Sequence, residues 1–223
     1  IPFWTGAVLT VVATGFYTVL GGLKAVIYTD MLQAVVLIIG TAIISIFGLY
    51  QLGGWSEMID TISLASQTAG NPPVDQFFNL WRPMEDTEYP WTGMLFGAPI
   101  LGIWYWCTDQ FIVQRVLSAK DINNARKGAL FAGYLKLLPV FLFFIPGVIA
   151  YALMQKGMIS YSMDNADSAL PVLITEFLPS GLKGFAIAGL LAALMSSLSS
   201  AFNSSSTLLT IDFYQKYRPN ASE

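Results

Sequence analysis

Five apolar segments, separated by polar connections, make up most of the chain. They run over residues 3–20, 25–50, 94–113, 129–154 and 184–211. Each is close to the roughly 17–25 residues that a helix needs to cross a bilayer. Gly21 and Gly22 separate the first two segments, as expected where a helix ends. The pattern predicts an all-α membrane protein in which these segments are the transmembrane helices.

Composition supports this prediction and excludes several classes of function. Of the 223 residues, 55% are hydrophobic and 11% are charged, whereas a soluble domain has about 25% charged residues. No basic patch with interleaved aromatics indicates a nucleic-acid partner. One cysteine and no histidine exclude an internal disulfide and argue against a zinc or redox-metal site. No nucleophile–base pair or phosphate-binding glycine loop is visible, so we predict neither enzymatic activity nor a cofactor.

The N-terminal residues IPFWTGAVLT contain no initiator Met and no features of a signal peptide. They read as the start of a helix inside a longer chain. We therefore expect residues 1–223 to be a single transmembrane-domain fragment of a longer transporter.

The distribution of basic residues predicts how the segments are oriented. If successive segments alternate in direction, the connections at 21–24 and 114–128 and the end of the chain share one side. That side carries seven basic residues: Lys24, Arg115, Lys120, Arg126, Lys127, Lys216 and Arg218. The loops at 51–92 and 155–183 carry three: Arg82, Lys156 and Lys183. By the positive-inside rule, 114–128 is a cytoplasmic loop and 51–92 and 155–183 are extracellular loops of a multi-pass protein in the plasma (cell inner) membrane.

The stretch IWYWCTDQ at 103–110 interrupts the third segment with small and polar residues. The uncharged run before CTDQ, 94–106, covers only about 20 Å at 1.5 Å per residue, less than a hydrocarbon core of roughly 30 Å. The helix must therefore continue through CTDQ, whose polar groups cannot face lipid. This predicts a discontinuous helix whose irregular part lines a protein-enclosed cavity. The alternative is a kinked helix with CTDQ at the membrane interface.

The aromatic residues beside this break suit a sugar. Tyr105 and Trp106 are candidates for stacking or gating, because aromatic rings pack on the apolar faces of a sugar while polar groups bind its hydroxyl rim. Lys136 is a charge within the fourth segment. It would bind a polar solute or snorkel to the interface. An amino-acid solute, held by helix-terminus dipoles, is left open.

The fifth segment carries polar residues at three- and four-residue spacing, which places them on one helical face. They are Ser196, Ser199, Ser200, Asn203, Ser206, Thr207 and Thr210. Hydroxyl and main-chain oxygens suit a hard cation such as sodium, and close helix packing is the alternative. Asp30, in YTDMLQ of the second segment, would balance a cation or pair with Lys24.

Four sequence blocks resemble the sodium/solute symporters, and most closely their sodium/glucose branch, which includes a bacterial sodium/galactose symporter. The blocks are YTVLGGLKAVIYTDMLQ, WYWCTDQFIVQRVLSAK, GYLKLLP and GLKGFAIAGLLAALMSSLSSAFNSSSTLLTIDFY. The resemblance implies the inverted-repeat fold first seen in the leucine transporter. It also implies that about five transmembrane helices are present here, core helices four to eight of ten, and that core helices one and ten belong to the rest of the transporter.

The resemblance further implies roles for individual residues. Tyr105 and Trp106 are similar to the inner-gate and sugar-stacking aromatics of the family. Gln110 belongs to the same broken-helix region, and Lys136 matches a lysine that contacts sugar. Gly102 stands where relatives carry Thr or Asn, so one hydrogen bond to the sugar is missing or replaced. The residues that match sodium sites are Ala193, Ser196 and Ser197 for the shared site, and Asp30, Ser199 and Ser200 for the second site of two-sodium members.

Together these features predict sodium-coupled symport of a small glucose- or galactose-type sugar by alternating access. Sodium would be the coupling ion, and the lipid bilayer and the helices of the rest of the transporter would be the partners. Two alternatives stay open. One is symport of another solute, such as inositol, sialic acid or an anion, and the other is a sodium-gated sugar sensor that conducts without accumulating sugar.

Overall fold

The computed structural model describes residues 2–68, 73–79, 81–159 and 167–219, and within these ranges the chain forms helices and turns without a strand. The α-helices are α1 (Phe3–Leu52), α2 (Trp55–Ser66), α3 (Val74–Phe78), α4 (Ala98–Ile103), α5 (Gln110–Leu117), α6 (Ile122–Leu135), α7 (Ile145–Gln155), α8 (Ala169–Phe177), α9 (Ser180–Leu208) and α10 (Gln215–Tyr217). Four π-helical turns extend them, at Gly93–Gly97, Trp104–Thr108, Val140–Phe144 and Leu209–Tyr214.

Helix α1 contains the first two predicted segments and is kinked between them. Gly22 has φ 55° and ψ −159°, a combination that only glycine adopts without strain. The predicted helix boundary at Gly21-Gly22 is thus confirmed. We refer to residues 3–21 and 23–52 as the first and second limbs of α1.

Both limbs pack against α9. The second limb runs antiparallel to it, because Gly40 lies against Ala186 and Gly189 lies against Val36. In a straight helix this register would place Tyr17 about 20 Å from Met195 at 1.5 Å per residue. Instead the Tyr17 hydroxyl lies 3.4 Å from the Met195 carbonyl oxygen. The chain therefore turns back at Gly22, and the first limb returns along α9.

The third predicted segment is broken at Asp109. Its helical turns alternate between π and α geometry from Gly93 to Thr108, and Asp109 is extended, with φ −71° and ψ 112°. The Asp109 side chain then caps α5 by accepting a hydrogen bond from the Phe111 amide at 3.1 Å. The predicted discontinuity at CTDQ is confirmed in the backbone.

The fourth predicted segment also differs from a continuous helix over 129–154. It begins earlier, at Ile122, and α6 ends at Leu135. A turn at Lys136 and Leu137 follows, and helical structure resumes at Leu138 and Pro139. Proline has no amide hydrogen to donate, which explains why the helix is interrupted just before it.

Three helical stretches among the described residues are long and apolar enough to cross a membrane, Phe3–Leu52, Ile122–Gln155 and Ser180–Tyr217. The first has 50 residues, about 75 Å if straight, which is more than twice a hydrocarbon core. Its two limbs account for two of the five predicted segments. The third predicted segment is not among the three stretches.

The hydrophobic core lies at one end of the helical assembly, where the second limb of α1 meets α2, α7 and α8. Its fully or almost fully buried side chains are Ile44, Leu52, Met58, Ile62, Ile149, Leu153, Leu173 and Ile174. At this end the Lys156 ammonium group donates hydrogen bonds to the Leu52 carbonyl oxygen at 3.2 Å and to the Glu57 carboxylate at 2.6 Å. The polar residues predicted to bind ligands lie away from this core.

Candidate functional site

A ladder of serine hydroxyls on α9 faces the second limb of α1. Ser199 and Ser200 are fully buried, and both donate to the Ser196 carbonyl oxygen at 2.9 Å. One turn later, Ser204 donates to the Ser200 carbonyl at 2.8 Å. Bonding of a hydroxyl to the carbonyl one turn back satisfies it within its own helix. The hydroxyl oxygens keep their acceptor capacity for a neighbouring group.

Asp30 on the second limb meets this ladder. The Ser199 hydroxyl lies 3.5 Å from one carboxylate oxygen of Asp30. The other oxygen is ion-paired with Arg115 of α5, whose guanidinium group also contacts the Ser200 hydroxyl. The alternative prediction that Asp30 pairs with Lys24 is wrong, because the basic partner of Asp30 in the structure is Arg115. Arg115, which entered the sequence analysis only as a basic residue that orients the segments, therefore contacts the predicted sodium-site residue Asp30.

A second polar contact joins α5 to α9 beside this ion pair. Gln114 donates from Nε2 to the Ser204 hydroxyl at 2.9 Å and accepts at Oε1 from Asn203 at 3.1 Å. Gln114 is buried, so both ends of its amide are satisfied by one helix. Sequence reasoning missed Gln114, although its position just after an apolar helix start was a signal that its amide had a buried partner.

Tyr105, Trp106 and Lys136 lie together where the breaks in the third and fourth segments meet. The two rings are nearly perpendicular, with centroids 5.4 Å apart and an interplanar angle of 81°. The Lys136 ammonium group lies 4.2 Å from the centroid of the Tyr105 ring, as in a cation–π contact. All three line a cavity of about 320 Å³ between α5 and α6, and Arg115 lines the same cavity.

Two other predicted solute contacts stand apart from this cavity. Gln110 is half-buried at the start of α5 and is not among the residues that line it. A Cβ atom added at Gly102 would have nothing within 4 Å in the described structure, so crowding does not explain the glycine there. Cys107, next to Trp106, is exposed.

The two predicted sodium sets on α9 differ in exposure. Ser199 and Ser200 are buried against Asp30 and Arg115, whereas Ser197 is exposed and Ala193 is half-buried. Ser196 connects the sets through its carbonyl oxygen. One carboxylate with hydroxyl and carbonyl oxygens is a hard donor set. No group of three or more His, Cys, Asp or Glu residues that would hold a soft or multivalent metal occurs in the described ranges.

Comparison with known proteins finds sodium-coupled transporters. The chain is 40% identical to the sodium/mannose cotransporter of Bos taurus over 99% of its length and 40% of the relative. It is 40% identical to sodium/glucose cotransporter 1 of Ovis aries, covering 94% of this chain and 35% of that protein. It is 42% identical to sodium/myo-inositol cotransporter 2 of Mus musculus, covering 94% and 34%. The chain thus spans little more than a third of the length of these relatives, which are cotransporters rather than enzymes.

A solved structure gives the same result for the fold. The substrate-bound, outward-open state of a Na⁺-coupled sialic acid symporter, described as revealing a novel Na⁺ site, matches with a TM-score of 0.78 and 25% identity. The match covers 97% of this chain and 44% of that one. The predicted all-α, leucine-transporter-like membrane fold is confirmed. Because the model of the sodium:solute symporter family matches residues 1–223, the chain belongs to that family.

Proposed function

We propose that the protein carrying this chain couples the sodium gradient to uptake of a small sugar, of glucose or galactose type, by alternating access. The observation that carries the proposal is the arrangement of two sets of groups. Tyr105, Trp106 and Lys136 line one cavity, and Asp30 meets the serine ladder on α9 next to it. The first set suits a hydroxylated ring, and the second suits a hard monovalent cation.

The solute would bind in the cavity between the broken helices. The perpendicular rings of Tyr105 and Trp106 offer one face for stacking and one edge for closing the cavity. Lys136 has three ammonium donors, which would bind hydroxyl or carboxylate oxygens of the solute. Gln110 and Gly102 do not line this cavity, so their contacts with the solute stay predictions from the resemblance.

Sodium would bind to oxygens of α9. The shared site would use Ala193, Ser196 and Ser197, and the exposure of Ser197 leaves its hydroxyl accessible to ligands from helices outside this chain. The second site would use Asp30, Ser199 and Ser200, whose oxygens already converge.

Coupling follows from the different affinity of each ligand for the outward-open and inward-open states. Sodium would favour the outward-open state, and the solute would then bind and leave inward with it. Sodium must raise the affinity for the solute by the same factor by which the solute raises the affinity for sodium. In the plasma membrane, 51–92 and 155–183 would be extracellular and 114–128 cytoplasmic.

A second candidate solute is an acidic sugar. Two basic side chains, Lys136 and Arg115, line the 320 Å³ cavity, and a carboxylate would be favoured there by charge. The structural neighbour is a sialic acid symporter, whereas the curated relatives are named for mannose, glucose and myo-inositol. An anionic solute is therefore the alternative within the same class of transport.

Tracer uptake by the full-length protein in proteoliposomes tests the proposal. The tracers are glucose, galactose, myo-inositol and sialic acid, each with an inward sodium gradient and with potassium as control. Sodium-dependent accumulation of glucose or galactose supports the proposal. Accumulation of sialic acid or myo-inositol alone assigns the other solute class. Sodium currents evoked by sugar without accumulation would contradict symport and indicate a sensor.

A further inference from the structure

Arg115 is the one residue among those described that both lines the candidate solute cavity and pairs with the candidate cation site. It lies on α5 one residue after Gln114, whose amide holds that helix to Ser204 of α9. Its guanidinium group reaches Asp30 and the Ser200 hydroxyl. The same side chain lines the cavity that holds Tyr105, Trp106 and Lys136. The two sites are therefore one side chain apart.

The guanidinium group stands at the oxygens that a second sodium ion would use. It pairs with Asp30 and contacts Ser200, while Ser199 lies 3.5 Å from the same carboxylate. Two positive charges at one carboxylate repel each other, and the side chain of Asp30 is only 11% exposed, so water screens them weakly. A cation that binds there must displace the guanidinium group.

The displaced side chain has a cavity beside it into which it can move. Gln114 fixes the backbone of α5 against α9, so the change falls on the side chain of Arg115. The cavity of about 320 Å³ lies beside it. Its Nε–H is buried and lacks an acceptor in the described structure, although a buried donor is ordinarily paired. A solute oxygen in the cavity would supply that acceptor.

We propose that Arg115 is the coupling residue between the two sites: sodium at Asp30 releases its guanidinium group to bind the solute, and in the absence of sodium Asp30 holds it back. The inference rests on the proposed sodium-coupled function and names the group through which the coupling acts. The guanidinium group offers planar, paired donors to hydroxyl or carboxylate oxygens, a geometry that a single ammonium group lacks.

The test compares solute affinity with and without sodium in the purified full-length protein. The dissociation constant of the solute identified by uptake is measured by calorimetry in saturating sodium and in potassium, for wild type and Arg115→Gln. In wild type the ratio of the two constants is expected to be about 5–150. In Arg115→Gln it is expected to fall to about 1–2, while sodium binding, measured directly with radioactive sodium, becomes tighter because its competitor is gone.

Lys156→Gln is the matched control. It removes the basic partner of the Lys156–Glu57 ion pair, which is far from both sites. It is expected to keep the wild-type ratio. A wild-type ratio in Arg115→Gln overturns the inference, as does weaker sodium binding, which is the result expected if Arg115 only stabilises the fold. Wild-type protein without sodium-dependent accumulation would instead overturn the proposed function.

If Arg115→Gln does not give monodisperse protein, the same ratio of dissociation constants is measured for Arg115→Lys. Its ammonium group can pair with Asp30, which preserves the packing of α5, but it lacks the planar fork and the Nε–H. A ratio below half of the wild-type value supports the inference, and an unchanged ratio overturns it.

Discussion

The α1–α9 pair and the third and fourth apolar segments use similar apolar sequence in opposite ways. Helix α9 and the second limb of α1 are continuous and in close contact. A Cβ atom added at Gly189 of α9 would lie only 3.3 Å from the Val36 carbonyl oxygen. The third and fourth segments are interrupted at Asp109 and Lys136 and contain π-helical turns. The comparison shows how one chain separates two tasks: a rigid helix pair holds the serine ladder, and broken helices form a cavity.

This division explains where polar groups are tolerated. On α9 each buried hydroxyl donates to a carbonyl of its own helix, so the ladder requires no distortion of the backbone. In the broken segments the backbone itself leaves helical geometry, which is tolerated at membrane depth only where the backbone is buried in protein or lines a water-filled cavity.

The largest effect is expected for Trp106→Ala in the cavity. Removal of the ring deletes the stacking face, so sodium-dependent solute uptake should fall to background while direct sodium binding to the purified protein is retained. Trp104→Ala is the matched control, because Trp104 is in the same π-helical turn, is 55% exposed and does not line the cavity. Uptake at the wild-type rate in Trp106→Ala would show that the Trp106 ring does not stack on the solute.

The second-largest effect is expected for Gly189→Leu, which should disrupt the packing of α9 against the second limb of α1. The new side chain would collide with the backbone of Val36 and Leu37, and overpacking of this kind costs about 1–3 kcal/mol. We expect a lower melting temperature and a lower yield of monodisperse protein. Gly184→Leu on the same helix should have little effect, since a Cβ there meets nothing within 4 Å. Equal losses in both variants would show that the close contact is not what holds the pair.

A smaller effect is expected for Ser199→Ala on the ladder. The fold should be unchanged, because the lost hydroxyl bonds only within α9 and to Asp30. Loss of one oxygen from the proposed sodium site should weaken sodium activation of uptake by about 1 kcal/mol, roughly fivefold. Ser205→Ala, at an exposed position of the same helix, is the control. A shift of equal size there would argue for a general effect on α9.

The smallest effect is expected outside both regions, in the connection that contains Asp86. Its pKa lies below the ordinary 3.8 because its carboxylate accepts hydrogen bonds from the Tyr89 amide, the Arg82 side chain and the Glu88 amide. A lowered pKa means that this stabilisation is complete above pH 3.8 and is lost as the pH falls through the lowered value. The stacked Trp81 and Trp91 rings, 5.9 Å apart, should report the loss as a change in near-ultraviolet circular dichroism.

Asp86→Asn is the control for that titration, because it removes the carboxylate and keeps the shape of the side chain. The variant should show no such transition on acidification. A transition of unchanged size in Asp86→Asn would assign the titration to another group.

Local signals in the sequence were sufficient for much of the fold and for part of the site. Glycine at 22 and the polar residues at CTDQ gave both helix breaks, because these act within a few residues along the chain. Spacing also placed Ser199 and Ser200 on one buried face. The break at Lys136 was missed because a proline within an apolar run is compatible with a kinked, continuous helix.

The partners of Asp30 and Gln114 could not be predicted in this way. Arg115 is 85 residues from Asp30 along the chain, and Gln114 is 90 residues from Ser204. Periodicity within one helix determines which face is buried but not which other helix covers it. The contact of Arg115 with Asp30 becomes visible only in the packing of α5 against α9.

The exposed thiol of Cys107 offers a labelling position next to Trp106, which lines the cavity. It is the single cysteine of the 223 residues, and it lies between Trp106 and the break at Asp109. A maleimide fluorophore attached there would be next to Trp106 in the chain, and the rate of the labelling reaction would measure how often the reagent reaches that point. Labelling rates compared in sodium and in potassium would then report whether the exposure of this position depends on the cation.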